Sequence, residues 1–236
     1  MKRIIRIRKL GCRSYDFRTD SRRLRHIKRR GMREMIIEEL FKEKISEAKQ
    51  HQRNEGEVYV TDLVRCPLKA KYELLYPELK DAEAYTPSFI LGDLVHKGLE
   101  EFLKEKFNAE LEVEGAKQLQ IDGKTITLKG RADALTNDYV IEIKSSRADR
   151  GLPHEHHILQ LRLYLWLFNK SKGVLVYITP DRITEYEINN PPDEAEVLEL
   201  VEDFMKAKNA PKFKWECGYC TFSVLCPRRM VPNDNK

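Results

Sequence analysis

Acidic and basic side chains alternate with apolar ones in the segment GRADALTNDYVIEIKSS, residues 130–146. Glu142 and Lys144 lie two positions apart in a run of strand-forming residues, so both point to the same face of a strand. Asp133 lies on the preceding alternating segment, and a turn at residues 136–138 brings it close to Glu142. Two carboxylates that meet in this way can hold Mg²⁺ or Mn²⁺, which prefers oxygen ligands. Such an ion activates water and offsets charge on a phosphoryl oxygen, and Lys144 can hold that water.

Three further side chains are candidates for the same site. His96 lies on an amphipathic helical segment, and Gly92, one turn earlier, leaves room for another group to approach. A neutral imidazole is an acceptable ligand for Mn²⁺. Gln160 and Tyr164 are four positions apart, so one face of a helix presents both. The residues alone also allow a structural interpretation, in which the histidine is partly buried and the strand residues form an exposed ion pair of little energetic value.

The five cysteines of the chain indicate a metal site rather than disulfides. Cys217, Cys220 and Cys226 follow the spacing C-x2-C-x5-C near the end of the chain. A closed sulfur site needs four ligands. Cys12 and Cys66 are the candidates for the fourth, and Cys66, like Cys226, precedes a proline. Four thiolates bind zinc as readily as an iron–sulfur cluster, so the spacing leaves the metal open.

Hydrophobic periodicity predicts the elements that must position these residues. Helices are expected at residues 33–53, from Thr61 or Asp62 to a stop at Pro77, and at residues 88–107, 157–168 and 193–208. On the third helix we expect a buried apolar stripe, formed by Phe89, Leu91, Leu94, Val95, Leu99, Phe102 and Leu103. Alternation predicts five strands, KQLQI, TITLKGRADAL, YVIEIK, VLVYITP and ITEYEI, the first two joined by a hairpin at Asp122-Gly123. The order α-α-α-β-β-β-α-β-β-α indicates one α/β domain with a mixed sheet.

Charge is distributed unevenly along the chain. Residues 1–31 carry a net charge of +11, whereas the remainder carries −6. We therefore interpret residues 1–31 as a basic arm. This arm either binds phosphate groups, is disordered, or lies before the true start of the protein. Residues 32–236 are interpreted as a single domain. No apolar run approaches the ~18 residues of a membrane span, and no secretory signal is visible. These features predict a cytoplasmic protein.

The pattern D-x8-E-x-K resembles the signature of the PD-(D/E)xK nuclease superfamily. The full set of motifs is most similar to its RecB-like nucleases, and among them to the CRISPR-associated exonuclease family called Cas-four. These motifs follow the order of that family, namely Cys66, Gly92 with His96, Asp133 after Gly-Arg, Glu142-Ile143-Lys144, Gln160 with Tyr164, and the three terminal cysteines. One position departs from the superfamily's name, because Ala132 rather than proline precedes Asp133.

The resemblance implies a restriction-endonuclease-like PD-(D/E)xK core of the α/β class, in which helices flank a mixed central sheet. It assigns a Mg²⁺ or Mn²⁺ ion to His96, Asp133, Glu142 and the backbone carbonyl of Ile143. It gives catalytic roles to Asp133, Glu142, Lys144, Gln160 and Tyr164. It further implies a [4Fe–4S] cluster that ties the N-terminal helical region to the tail, held by Cys66, Cys217, Cys220 and Cys226. A [2Fe–2S] cluster and zinc are the alternatives.

The implied activity is metal-dependent exonucleolytic hydrolysis of single-stranded or frayed DNA, for processing fragments before CRISPR spacer acquisition. DNA and the CRISPR integrase proteins are then the expected partners, no membrane is involved, and the oligomeric state is open. Two other functions fit the same residues. One is the nuclease subunit of a helicase–nuclease repair system, and the other is an inactive iron–sulfur module that only binds DNA.

Overall fold

The structure is a computed structural model that describes residues 4–5, 36–50, 54–81, 83 and 86–230. The chain divides into two units, residues 6–51 and the rest. In the smaller unit, α1 (Ile36–Gln50) falls inside the helix predicted at residues 33–53. Apart from β1 (Ile4–Ile5), the basic arm and Cys12 lie outside the described residues, so their roles stay predictions.

The larger unit contains the other helices and strands. Its helices are α2 (Val60–Leu63), α3 (Pro67–Leu75), α4 (Pro77–Asp81), α5 (Pro87–Phe107), α6 (Glu155–Leu167), α7 (Glu194–Lys206) and α8 (Glu216–Tyr219). Its strands, besides β1, are β2 (Glu57–Tyr59), β3 (Glu110–Ile121), β4 (Lys124–Leu135), β5 (Tyr139–Ser145), β6 (Lys172–Ile178) and β7 (Ile183–Ile188). The five predicted strands and the hairpin at Asp122-Gly123 are therefore confirmed, although β3 begins earlier than the pattern indicated.

The strands form one mixed sheet in the order β1-β7-β6-β5-β4-β2, with β3 also paired to β4. β5 and β6 run parallel, as do β2 and β4, and the remaining pairs are antiparallel. The helix α6 makes the crossover between β5 and β6, which a parallel pair requires.

The strands β4 and β5 separate just where the acidic residues lie. Their ladder contains only the pairs Ala134↔Ile141 and Leu135↔Val140. Asp133 and Glu142 would form the next pair of the ladder. Instead, the backbone N–H of Ile143 donates a hydrogen bond to the side-chain carboxylate of Asp133 at 2.7 Å, in place of a backbone carbonyl of β4. The sheet therefore opens into a gap between these two carboxylates.

Helices cover both faces of the sheet. On one face, Leu103 of α5 packs with Ile141 and Ile143. On the other face, buried residues of α6 and α7 share a larger core with Val140 and Leu175. Because successive strand side chains alternate, Ile141, Ile143 and Ser145 face α5, whereas Glu142 and Lys144 face α6.

Two helix predictions were wrong in detail. The helix expected to begin at Thr61 or Asp62 is interrupted at residues 64–66. Its first part is α2, and the N-cap residue of α2 is Tyr59 rather than Thr61 or Asp62. The side chain of Asp62 instead turns back and accepts a hydrogen bond from the backbone N–H of Tyr59. Pro77 does not simply end the helix, because it occupies the first position of α4, where a missing N–H costs nothing.

The apolar stripe expected on α5 is only partly buried. Phe89, Leu91, Leu94 and Phe102 are each about half exposed or more. The buried positions of α5 are Leu103 and, unexpectedly, the acidic Glu100. No described helix is long and apolar enough to cross a membrane.

Candidate active site

Glu142 is the centre of a buried polar cluster at the opening of the sheet. Its side chain is 1% exposed, and Oε1 accepts hydrogen bonds from Nζ of Lys144 at 2.5 Å and from Nε2 of Gln160 at 2.7 Å. Oε2 is buried without a hydrogen-bond partner. A buried carboxylate oxygen without a partner is costly, so its position is explained if a cation binds there. The alternative interpretation, an exposed strand ion pair, is therefore wrong.

The electrostatics of the cluster favour a bound cation. Burial raises the pKa of Glu142 to about 8, and the negative charge of Asp133 acts in the same direction. Lys144 opposes this shift by its charge and its hydrogen bond. The pKa of Lys144 is raised by the charges of Glu142 and Asp133, although burial alone would lower it. A divalent cation can replace the proton that Glu142 otherwise retains near neutral pH, because metal ligands must be deprotonated.

Asp133 and the backbone of Ile143 form the other wall of the opening. The Asp133 carboxylate is fixed by the N–H of Ile143, and its Oδ2 lies 3.7 Å from Nδ1 of His96 on α5. The N–H and C=O of an extended residue point to the same edge of a strand, so the Ile143 carbonyl faces the same gap. Burial lowers the pKa of His96, which favours the neutral imidazole that binds metals.

Gln160 and Tyr164 reach the cluster from α6. Both are buried, and Nε2 of Gln160 lies 3.2 Å from the hydroxyl oxygen of Tyr164. Burial raises the pKa of Tyr164 far above its ordinary value, so its hydroxyl stays protonated. The structure thus brings together the side chains of His96, Asp133, Glu142, Lys144, Gln160 and Tyr164, which the sequence drew from three separate segments.

Gly130 allows α6 to approach the sheet closely enough to place Tyr164. A Cβ at this position would lie 2.7 Å from Cε1 of Tyr164 and 3.0 Å from side chains of Leu167 and Val60. Gly92 has a similar role on α5, since a Cβ there would lie 3.2 Å from Oγ of Ser145. The glycines of the two motifs are therefore explained by close packing of α5 and α6 against strands.

We expect Gly130→Ala to lower the free energy of unfolding by about 1–3 kcal/mol, because the added methyl group overpacks this contact. Gly98→Ala is the matched control. Gly98 lies in the middle of α5 with nothing near its Cβ position, so alanine there is expected to raise stability by up to ~1 kcal/mol. Urea unfolding of the two variants measures the difference. Equal effects of the two substitutions would contradict the close contact between Gly130 and Tyr164.

Glu100 is a candidate ligand that the sequence reasoning missed. It lies four positions after His96 on α5, and ligand atoms of His96, Glu100 and Asp133 all lie within 4.8 Å of one another. The Glu100 side chain is 7% exposed. The spacing of four could have identified it, but a glutamate in the run LEEFLKEK is typical of a solvated helix face.

The three histidines of the segment PHEHHI lie at the start of α6, with His154 just before its first residue. The ring of His156 lies 5.1 Å from that of Trp215, and Nδ1 of His157 lies 2.6 Å from the hydroxyl of Tyr177. Burial lowers the pKa of His157 to about 2, so its ring is neutral. These histidines join the start of α6 to the segment that carries the terminal cysteines.

The four cysteines that the resemblance assigned to a cluster line one cavity of about 170 Å³. Cys66 immediately precedes α3, and Cys217, Cys220 and Cys226 lie in and after α8. Glu216 joins the two segments, because its carboxylate accepts the backbone N–H of Cys66 at 2.6 Å and that of Phe213 at 2.8 Å. Cys66 therefore lies beside the other three cysteines, a proximity that the sequence alone did not establish.

The surroundings of these sulfurs suit a metal-bound thiolate. Backbone N–H groups of Leu68 and Lys69 donate to the sulfur of Cys66, and that of Met230 donates to Sγ of Cys217 at 3.4 Å. Hydrogen bonds to sulfur of this kind stabilise and tune iron–sulfur clusters. Without a metal, burial raises the pKa of the Cys66 and Cys220 thiols. The donor set and the cavity therefore fit a group bound by four thiolates.

Comparison with known proteins identifies the family. A family model described as the PD-(D/E)XK nuclease superfamily matches residues 103–227. The CRISPR-associated exonuclease Cas4 of Saccharolobus solfataricus is 54% identical over 202 residues, which make up 84% of this chain and 100% of that protein. The chain belongs to the Cas4 family of PD-(D/E)XK nucleases. The crystal structure of SSO0001 has a similar fold, with a TM-score of 0.82 at 54% identity, and the match covers 84% of this chain and 99% of that one.

Membership of the Cas4 family confirms both the resemblance and the PD-(D/E)xK core. The protein is a nuclease, and nucleases of this superfamily use divalent metals. In this chain Asp133 and Glu142 are the carboxylates at the opening of the sheet, and Lys144 is the ammonium in contact with Glu142. A bound cation supplies charge stabilisation and an acidified water.

Proposed function

We propose that this chain is a divalent-metal-dependent DNA exonuclease that trims single-stranded or frayed ends. The hydrogen bonding of the Glu142 carboxylate carries the proposal. One of its oxygens accepts hydrogen bonds from Lys144 and Gln160, whereas the other is buried without a hydrogen-bond partner. This arrangement leaves one carboxylate oxygen for a cation next to an ammonium that can hold the attacking water. The name of the Saccharolobus solfataricus relative, an exonuclease, supports the same activity.

In this proposal each side chain has a separate task. Asp133, Glu142, His96 and the Ile143 carbonyl hold Mg²⁺ or Mn²⁺. Lys144 orients water and stabilises the charge that develops on the phosphate. Gln160 holds Glu142 in place, and the protonated hydroxyl of Tyr164 adds a hydrogen-bond donor beside them.

We further propose a [4Fe–4S] cluster on Cys66, Cys217, Cys220 and Cys226. The cavity that these residues share and the hydrogen bonds to sulfur support it. The cluster joins α3 to the terminal segment and takes no part in hydrolysis. Because the relative is named as CRISPR-associated, we propose that the trimmed fragments are substrates for spacer acquisition and that the integrase proteins are partners.

The test is an assay of anaerobically purified protein with end-labelled linear DNA, single- and double-stranded, in Mn²⁺, Mg²⁺ or a chelator. We expect release of short products from single-stranded ends with either metal and none with the chelator. Covalently closed circular single-stranded DNA is the matched control, since it offers no end. Cleavage of the circle at the rate of linear DNA would contradict an exonuclease, and tight DNA binding without any cleavage would favour a binding module.

A further inference from the structure

Three aromatic rings lie against one another at the start of α6. They belong to His156 on α6 and to Phe213 and Trp215 in the segment before α8. The ring centroids are 5.1 Å apart for His156 and Trp215, 5.7 Å apart for His156 and Phe213, and 5.8 Å apart for Phe213 and Trp215. These separations are typical of aromatic rings in contact. We call these three residues the aromatic platform.

Trp215 is the exposed member of the aromatic platform. It is 51% exposed, whereas His156 and Phe213 are partly buried. Tryptophan is on average largely buried, because its ring has a large apolar surface. The other tryptophan of the chain, Trp166, is partly buried, and Nζ of Lys117 lies 4.2 Å from the centroid of its ring. The indole of Trp215 is therefore a flat apolar surface that is open to a partner and held in place by two rings.

The aromatic platform is joined to the active site by a short series of contacts. Lys144 on β5 is paired in register with Tyr177 on β6, so both side chains point to the face of the sheet that α6 covers. The Tyr177 hydroxyl lies 2.6 Å from Nδ1 of His157. The ring of His157 in turn lies 4.0 Å from that of His156. A strand of DNA whose phosphate lies beside Lys144 can therefore place a neighbouring base at the platform.

The surroundings of the aromatic platform combine positive charge with a neutral stacking surface. Arg147 and Arg150 are exposed in the segment that leads from β5 to α6, and Lys214 is exposed next to Trp215. Burial lowers the pKa of His156 to about 4, so its ring is neutral at physiological pH. Exposed cations attract the phosphates of a nucleic acid, and aromatic rings among them are the surfaces on which single-stranded bases stack.

We propose that the aromatic platform binds a nucleobase of the single-stranded DNA that the active site cleaves, by stacking on Trp215. Every base has a flat face, so this contact holds a strand without reading its sequence. A base inside a duplex cannot offer that face until it is unstacked, which costs free energy. The platform is then the part of the protein that favours single-stranded or frayed ends. This inference rests on the proposed function and names the residue that selects its substrate.

The experiment measures the affinity of the purified full-length protein for two fluorescein-labelled single strands of equal length by fluorescence anisotropy. One strand carries ordinary bases, and the other is abasic throughout, so that it offers only sugar and phosphate. A chelator is present, which prevents cleavage during the measurement. We expect the unaltered protein to prefer the ordinary strand. In Trp215→Ala we expect that preference to fall by about 5- to 150-fold, the loss caused by removing one stacked base.

Two further variants make the result specific to stacking on this ring. Trp215→Phe keeps an aromatic ring and is expected to retain most of the preference for the ordinary strand. Phe107→Ala removes a ring that is 60% exposed on α5, on the opposite face of the sheet, and is expected to retain all of it. Trp215 also lines the cavity that the cysteines share. Damage to that cavity would weaken the binding of both strands alike, so it leaves the ratio of the two affinities unchanged.

Equal affinity of the unaltered protein for the two strands would overturn the proposal. An unchanged ratio of the two affinities in Trp215→Ala would overturn it as well, as would a loss in Trp215→Phe as large as that in Trp215→Ala. Failure of the proposed nuclease activity is a separate result, because it appears as intact DNA in the cleavage assay, whereas the ratio of affinities is measured without cleavage.

Discussion

Lys144→Met is expected to lower the rate of DNA cleavage by about 10²–10³-fold, the loss seen when a preorganised donor to transition-state charge is removed. The Lys144 ammonium lies 2.5 Å from Oε1 of the buried Glu142, so it fixes that carboxylate and adds positive charge beside the expected water. Methionine keeps the length of the side chain without the charge. The measurement is single-turnover cleavage of end-labelled single-stranded DNA with saturating Mn²⁺.

The same substitution should leave the cysteine site unchanged, because Lys144 does not line the cavity that the four cysteines share. The absorbance of a cluster at about 400 nm is therefore expected to persist. Lys172→Met is the matched control, since Lys172 is exposed on β6 at the other end of the β5–β6 pair. Asp133→Ala should abolish cleavage, because it removes a carboxylate proposed to bind the metal. Metal-dependent cleavage that persists in purified Asp133→Ala protein would falsify the active-site assignment.

Cys66→Ser is expected to remove most of the iron and to destabilise the whole nuclease unit. Cys66 and Glu216 are 150 positions apart in the sequence, so a cluster shared by these two segments closes a very long loop. By the chain-entropy argument for such a cross-link, its loss costs about 4 kcal/mol of the free energy of unfolding. For a chain of this size that corresponds to a decrease in Tm of roughly 10 °C.

Iron content, absorbance and thermal unfolding measure these effects under anaerobic conditions. Cys12→Ser is the control, because that cysteine is not assigned to the cluster, and it should retain both the iron and the Tm. At a temperature where Cys66→Ser remains folded, we expect DNA cleavage to continue, because the cysteines hold the structure without acting on the phosphate. Unchanged iron in Cys66→Ser, or loss of iron in Cys12→Ser, would show that the fourth ligand had been wrongly chosen.

Local signals in the sequence were sufficient for most of the sheet and for its acidic residues. The alternation of YVIEIK places Glu142 and Lys144 on one face, and the turn before it returns the chain to Asp133. A spacing of four likewise places Gln160 and Tyr164 on one face of α6. These predictions need only the periods of a strand and a helix, which do not depend on distant contacts.

The exposure of α5 could not be read from its sequence. Phe89, Leu91 and Leu94 form part of an amphipathic pattern, but each of these three side chains is more than half exposed, whereas Leu103 packs against the sheet. A helical period shows which residues share a face and says nothing about how far along that face a partner extends. The burial of Glu100 was missed for the same reason.

The sequence by itself determined the strands, the helix faces and the set of chemically active residues, because each depends on spacing along the chain. Only the tertiary structure decided what those residues meet. It separated β4 from β5 at Asp133, buried Glu142 with one oxygen unpaired, turned Glu100 towards Asp133, and brought Cys66 to the terminal cysteines. These results depend on where the hydrogen-bonded pairing of β4 with β5 stops and on how closely α5 and α6 pack against the sheet. Such packing is determined by contacts between residues that are far apart in the chain.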